Sequence, residues 1–397
     1  MEAQHYHLIK GNAFLRAIAA SLSLAIGMGF GRFAFTGLYP LMIEDGIISI
    51  QSGSHAASAN YAGYLAGALL ATWIKTEQAR RYCFWSVIMT IACMASLALV
   101  DNSWIVIGIR GLAGVFSAIT MVGASLWLLQ HIGQTHHAPL LFAGVGAGIA
   151  VSAELIAFGS YLELSSGPIW LLLALVSFVL FLPFSSALAD GSTHAHRHSN
   201  AQPVSAPTSN PTNSAFYVAL LVVIYGISGT GYIITATYLP LLIQDFLETT
   251  NPIHVWAAFG LGAAPSCYLW HALHLRFGTR NSLTLNLVLQ SLGVALPAVS
   301  PTLFSSLASA VIVGGTFMGA VTIAMSAARD IEHTVRLNLL ALMTAAYGIG
   351  QIIGPLIANE IYSNNESFTG ALITASMALL VASILSLFYR SLPRCKT

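Results

Sequence analysis

Long apolar runs recur along the chain, each too long for a buried strand and each separated from the next by a polar stretch. About 20 residues suffice for a helix to cross a bilayer. Runs near 14–43, 57–74, 82–100, 104–130, 139–160, 168–188, 214–243, 254–273, 282–299, 302–328, 338–361 and 368–389 are of roughly that length or longer. The pattern predicts an all-α polytopic membrane protein of twelve transmembrane helices. One polar interruption is much longer than the others. It carries His194, His196 and His198 at alternate positions, followed by Pro203, Pro207 and Pro211. Rich in Ser, Pro, Asn and Thr, residues 189–213 read as a flexible cytoplasmic linker. It divides the chain into an N-terminal six-helix bundle, 1–188, and a C-terminal one, 214–397.

The two halves repeat one another. Shifting by 200 places Gly29, Gly31, Pro40, Leu41, Ile43 and Asp45 on Gly229, Gly231, Pro240, Leu241, Ile243 and Asp245. A shift of 195 then brings Ala62 and Gly67 onto Ala257 and Gly262, with Tyr61 on Trp256 and Tyr64 on Phe259. A shorter loop in the second half accounts for the change of register.

Composition agrees with the pattern: 56% of residues are hydrophobic and 7% charged, against about 25% charged in soluble domains. Net charge is only +1, yet the charges are unevenly placed. With the N-terminus inside, all of the fifteen Lys and Arg except Arg32 and Arg110 fall on the cytoplasmic side. The positive-inside rule therefore places both termini in the cytoplasm, as expected of a protein of the cell's inner membrane. Cys83, Cys93 and Cys267 sit in predicted helices and Cys395 in the tail, so free thiols are expected. The first apolar run is too long for a cleaved signal peptide.

Two equal halves in the same orientation are the parallel repeat of a major facilitator fold, in which solute binds near the midplane. Arg110-Gly-Leu-Ala-Gly114 in the fourth span resembles that superfamily's Arg-x-x-x-Gly pattern. Gly350-Gln-Ile-Ile-Gly354-Pro355 in the eleventh is similar to its Gly-x-x-x-Gly-Pro pattern, and Arg276-Phe-Gly278-Thr-Arg280 to the end of its basic loop. The loop after the second span departs from the pattern, keeping Gly67 and Arg80-Arg81 without the usual Asp and second Gly. Within the superfamily, the segments Gly31-Arg32-Phe33-Ala34-Phe35-Thr36, Asn60-Tyr61-Ala62-Gly63-Tyr64 and Tyr347-Gly348-Ile349-Gly350-Gln351 resemble the YbfB/YjiJ-type group. The resemblance implies a secondary transporter that moves a small polar or amphipathic organic solute by alternating access, working as a monomer. The competing class is a transporter-like receptor or scaffold that does not cycle.

Candidate chemistry lies with the few ionisable residues inside spans. An arginine at mid-helix costs about 2.5–3.5 kcal/mol to insert, so Arg32 marks a protein interior or a wet cavity. Arg32, Thr36 and Tyr39 stand at i, i+4 and i+7 on one face, and Tyr225, Tyr232 and Thr235 on a comparable face of the seventh span. Tyr232 is the repeat equivalent of Arg32. Together they are expected to offer a solute one cation, hydroxyls and aromatic rings, which suits an anionic or hydrogen-bonding end. Asn60 with Tyr64, and Tyr347 with Gln351, are further candidates; the plain alternative for the amides and tyrosines is packing between helices. Arg110 and Glu154 each lie about 9 Å below the outer surface at 1.5 Å per residue. An Arg110–Glu154 ion pair is expected, serving either proton coupling or simple neutralisation. In the superfamily the fourth-span arginine is implicated in coupling, so protons are the expected partner.

No glycine-rich phosphate loop, hydrolytic triad or His-Glu-x-x-His spacing occurs, which argues against an ATP-driven pump or an enzyme and gives no reason to expect a cofactor. The linker histidines, with His136 and His137, offer only a weak metal signal, and a solvated segment accounts for them. Nothing suggests nucleic acid as a partner; the lipid bilayer is the expected surroundings.

Overall fold

The computed structural model describes residues 2–189, 211–243, 252–331 and 339–389, and every extended regular element among them is helical. The chain forms two compact units, Met1–Arg197 and His198–Thr397. The division falls inside the expected linker, whose residues 190–210, with their three histidines, lie outside the described residues.

In the first unit the opening span is α1 (Glu2–Leu24), a π-helix (Ala25–Phe33) and α2 (Ala34–Glu44) in unbroken succession. It is followed by α3 (Ile50–Ala71), α4 (Ala79–Leu97), α5 (Ser103–Ser125), α6 (Ala138–Tyr161) and α7 (Ser166–Ala189). The second unit holds α8 (Pro211–Ile243), α9 (Ile253–Val299), α10 (Leu303–Ile331), α11 (Leu339–Asn365) and α12 (Thr369–Leu387). Each of the twelve apolar runs falls largely within a helix. Two of them share α9, which turns at Gly278 with φ 75° and ψ 174°, a backbone state that glycine adopts without a Cβ penalty.

Among the described residues, seven helices are long and apolar enough to qualify as membrane spans on those grounds alone. α3 and α4 do not, because α3 carries Gln51, His55, Asn60 and several serines and α4 opens with Ala79-Arg80-Arg81. Large apolar side chains such as Trp85, Leu175, Phe178, Leu292 and Ile384 are exposed along the helices, a surface suited to lipid rather than water. Trp73, Trp104 and Tyr161 are exposed at or just beyond helix ends, where amphipathic rings suit the headgroup layer.

Local chemistry sets the helix boundaries. Ser49 and Ser52 form a reciprocal capping box at the start of α3, and Asn102 accepts the Trp104 amide at 2.9 Å to start α5. Asp45 accepts the Ser166 amide at 2.6 Å, so the end of the first span ties down the first turn of α7. Its repeat partner Asp245 lies outside the described residues. Cys83, Cys93 and Cys267 are free and buried, as expected; Cys395 also lies outside them.

The repeat reappears in how helices meet. A Cβ on Gly67 would lie 2.4 Å from the Val115 carbonyl oxygen, and one on Gly262 would lie 2.5 Å from that of Val311. The α3–α5 and α9–α10 pairs are thus packed alike, with backbones too close for any side chain.

Candidate functional site

In the first unit the site is built around the π-helix. A π turn makes its hydrogen bonds five residues back instead of four, and such turns concentrate at functional positions. Glycines let neighbouring helices reach this one: a Cβ on Gly29 would stand 2.4 Å from the Gly148 backbone of α6, and one on Gly31 2.2 Å from the Thr90 side chain of α4. Arg32 is the penultimate π residue and is only 3% exposed. Its guanidinium carbon lies 4.0 Å from the ring centre of Tyr64 and 5.0 Å from that of Tyr61, both on α3, and 5.2 Å from Phe33. A desolvated cation over an aromatic face gains about 2 kcal/mol, which offsets part of the cost of burying it.

Arg110, on α5, does something different. Its Nη1 donates to the Gly31 carbonyl and its Nη2 to the Arg32 carbonyl, each at 2.9 Å, while the flat guanidinium lies 4.5 Å over Phe35. Where a helix changes pitch, a side chain can enter its hydrogen-bond ladder. Arg110 enters at the junction of the π-helix with α2. Its own carbonyl accepts the Asn60 side-chain amide at 2.8 Å, so α3, α5 and the first span are joined through one residue. The Nε of Arg110 and the Oδ1 of Asn60 are buried without a hydrogen-bond partner.

This arrangement takes the place of the Arg110–Glu154 pair expected from depth alone. The two terminal nitrogens of Arg110 are spent on backbone carbonyls. Glu154 stands on the exposed stripe of α6, with Ala147, Val151 and Phe158. Equal depth placed the two charges at one level; rotation about each helix axis sent them in different directions.

Thr36 is buried one turn beyond Arg32. Tyr39 serves the fold: its hydroxyl donates to the Ile50 carbonyl at 2.5 Å, its ring stacks on Phe35 at 5.3 Å, and Gly53 leaves room for it. Arg32 and Tyr64 are therefore brought together, Asn60 is tied to Arg110, and Tyr39 turns to the start of α3.

In the second unit the expected residues meet in an aromatic stack. Tyr225 lies on Tyr347 at 4.4 Å, Tyr347 on Tyr232 at 5.7 Å and Tyr232 on Phe317 at 5.3 Å, with interplanar angles of 19°, 16° and 15°. Phe317 continues to Phe259 at 5.4 Å and Phe259 to Trp256 at 4.5 Å. The Gln351 amide donates to the Tyr232 hydroxyl. Thr235 is buried on the same helix as Tyr232. Four helices thus contribute rings to one series.

Tyr61, Trp256, Phe259 and Phe317 were not among the expected site residues. Three of them carry a readable signal, since the repeat pairs Tyr61 with Trp256 and Tyr64 with Phe259. Arg32 packs directly on the α3 rings, whereas its equivalent Tyr232 reaches Phe259 through Phe317. Phe317 has no such signal, because only the packing of α10 brings it between them.

A family model described as "Uncharacterised MFS-type transporter YbfB" matches residues 24–387. The chain belongs to this family of major facilitator transporters. No curated protein matches it. Among solved structures, a crystal structure of the nucleoside transporter NupG is similar over 94% of this chain and 99% of that one, with a TM-score of 0.66 and 15% identity. At that identity the likeness establishes the fold. The YbfB-type transporter is accordingly a multi-pass membrane protein acting on a small molecule, and its two central features are the Arg32 cradle in one unit and the ring stack in the other.

Proposed function

We propose that this transporter carries a small organic solute with an anionic or hydrogen-bonding end, by alternating access, in exchange or symport with protons. The observation that carries this reading is the burial of Arg32 against the faces of Tyr61 and Tyr64. Aromatic faces stabilise a buried guanidinium, and the planar fork of its donors matches the geometry of a carboxylate or similar group. In this reading Thr36, Tyr64, Tyr225, Tyr232, Thr235, Tyr347 and Gln351 contribute to solute recognition. Asn60 and Arg110 position the π segment that presents Arg32.

Glu154 is the proposed proton carrier. It lies within α6, away from both ends, and an ionisable residue inside a span is a candidate for a functional role. The distribution of Lys and Arg supports an inner-membrane location with both termini cytoplasmic, and nothing in the proposed cycle requires more than a monomer.

The test is flux into liposomes of the purified protein under an imposed pH gradient, across a panel of organic anions. Wild type is expected to accumulate at least one anion in a gradient-dependent way, and Arg32→Ala to abolish it. Glu154→Gln is expected to leave downhill movement but remove its dependence on the gradient. Unchanged gradient-driven accumulation by Glu154→Gln would rule out the proton assignment, and absence of flux for every anion would favour the non-cycling receptor.

A further inference from the structure

Among the described residues, α8 buries two hydroxyls that have no hydrogen-bond partner. Ser228 and Thr235 on α8 are 1% and 0% exposed, and the Oγ of Ser228 and the Oγ1 of Thr235 have no hydrogen-bond partner. Serine and threonine inside helices usually donate to a carbonyl three or four residues back, as Thr230 does to Gly226 on this same helix. A buried hydroxyl left unpaired is costly, and in a membrane interior no bulk water relieves it.

Position makes these two hydroxyls informative. At 100° per residue, Ser228, Tyr232 and Thr235 stand at i, i+4 and i+7 and share one face of α8. The two orphan hydroxyls therefore flank the ring at the centre of the aromatic stack. That ring is held nearly parallel to its neighbours, at 15° and 16° to Phe317 and Tyr347, and its hydroxyl is fixed by Gln351. One helix face thus sets two unpaired hydroxyls, neither of them charged, beside a ring stacked between Phe317 and Tyr347.

We infer that this face is a recognition site for a flat aromatic or heteroaromatic ring bearing a hydrogen-bonding substituent on its edge. The ring enters the stack next to Tyr232, parting it from Phe317 or Tyr347, and the Ser228 and Thr235 hydroxyls pair with the edge substituent. This deepens the transporter reading by naming the class of solute, and it rests on that reading only for the claim that the bound ring is also moved. Aliphatic solutes of the same size and charge gain neither the stacking nor the pairing.

Three carboxylates isolate the two contributions when bound to purified protein in lipid nanodiscs and followed by calorimetry: 4-hydroxybenzoate, benzoate and cyclohexanecarboxylate. Benzoate is expected to bind about fivefold more tightly than the puckered ring, the scale of one aromatic contact. 4-Hydroxybenzoate is expected to gain about another fivefold from one hydrogen bond. The double variant Ser228→Ala/Thr235→Val should lose the second preference and keep the first. It should keep its thermal stability as well, because the hydroxyls it removes are unpaired. Tyr232→Leu should lose the first preference. Equal affinities for all three probes, absence of saturable binding by any of them, or an undiminished hydroxyl preference in the double variant would each overturn the inference. Failure of the transport reading looks different: ring-selective binding without flux sustains this site and refutes transport, whereas flux of solutes with no ring preference does the reverse.

Discussion

Replacing Arg110 by Lys tests the claim that this residue holds the π segment of the first span. The guanidinium bridges two carbonyls, those of Gly31 and Arg32, at 2.9 Å each. An ammonium group keeps the buried charge but cannot reproduce a planar fork. One charge-assisted hydrogen bond, worth about 1.5–3 kcal/mol, is lost, and the flat contact with Phe35 is weakened as well. Taking about 2 kcal/mol for the local change, and about 1.4 kcal/mol per factor of ten, the π segment should open roughly 30-fold more often. Hydrogen exchange read by mass spectrometry over peptides covering Ala25–Phe33 measures this directly, because protection reports the free energy of local opening. The expected result is about 30-fold faster exchange there, with α8–α12 unchanged. Glu154→Gln is the control and should leave the segment as protected as in wild type, since Arg110 is held by backbone carbonyls. Unaltered protection in Arg110→Lys, or equal loss of protection in Glu154→Gln, would refute the assignment and restore the ion pair.

Gly63→Leu should destabilise by about 3 kcal/mol or more through overpacking, because its Cβ would fall 1.9 Å from the Gly111 carbonyl oxygen. Gly108→Leu on α5, where nothing lies within 4 Å, should gain a few tenths of a kcal/mol from helix propensity; thermal unfolding in detergent separates the two. Tyr39→Phe should cost about 1 kcal/mol of stability through the lost bond to Ile50 and leave solute affinity unchanged, which calorimetry would show. In the loop between α5 and α6, burial, and then the His136 ring 4.0 Å away, hold His137 below its ordinary value of 6.5. A histidine that resists protonation in the folded state contributes stability above that value and loses it as pH falls through the depressed one. Melting temperature should therefore decline below pH 6.5, and less so in His137→Gln.

How much of this was legible beforehand differs between elements. Apolar run length gave the spans, because a bilayer imposes one helix length on every segment that crosses it. The repeat made Tyr232 the equivalent of Arg32 and Phe259 that of Tyr64; the structure places Arg32 with Tyr64 in one cluster and Tyr232 with Phe259 in the other. The repeat also matched Gly67 with Gly262, and at both positions helix backbones meet. Depth, counted residue by residue, put Arg110 and Glu154 at one level and so suggested a pair.

What the sequence by itself determined, then, was how far along each helix a residue stands: the helical runs, the repeat, and the places of Arg32 and Arg110 within their helices. Only the tertiary structure decided which way each residue faces. A stretch of nine residues in π rather than α form turns its side chains to faces that a 3.6-residue period does not predict, and no residue type announces it. That change of pitch, with the rotation of α5 and α6 about their axes, gave Arg110 to the carbonyls of Gly31 and Arg32, gave Arg32 to the rings of α3, and left Glu154 on an exposed stripe. Hydrogen bonds between backbone and side chain depend on angle as much as on height, and angle about a helix is set by its neighbours.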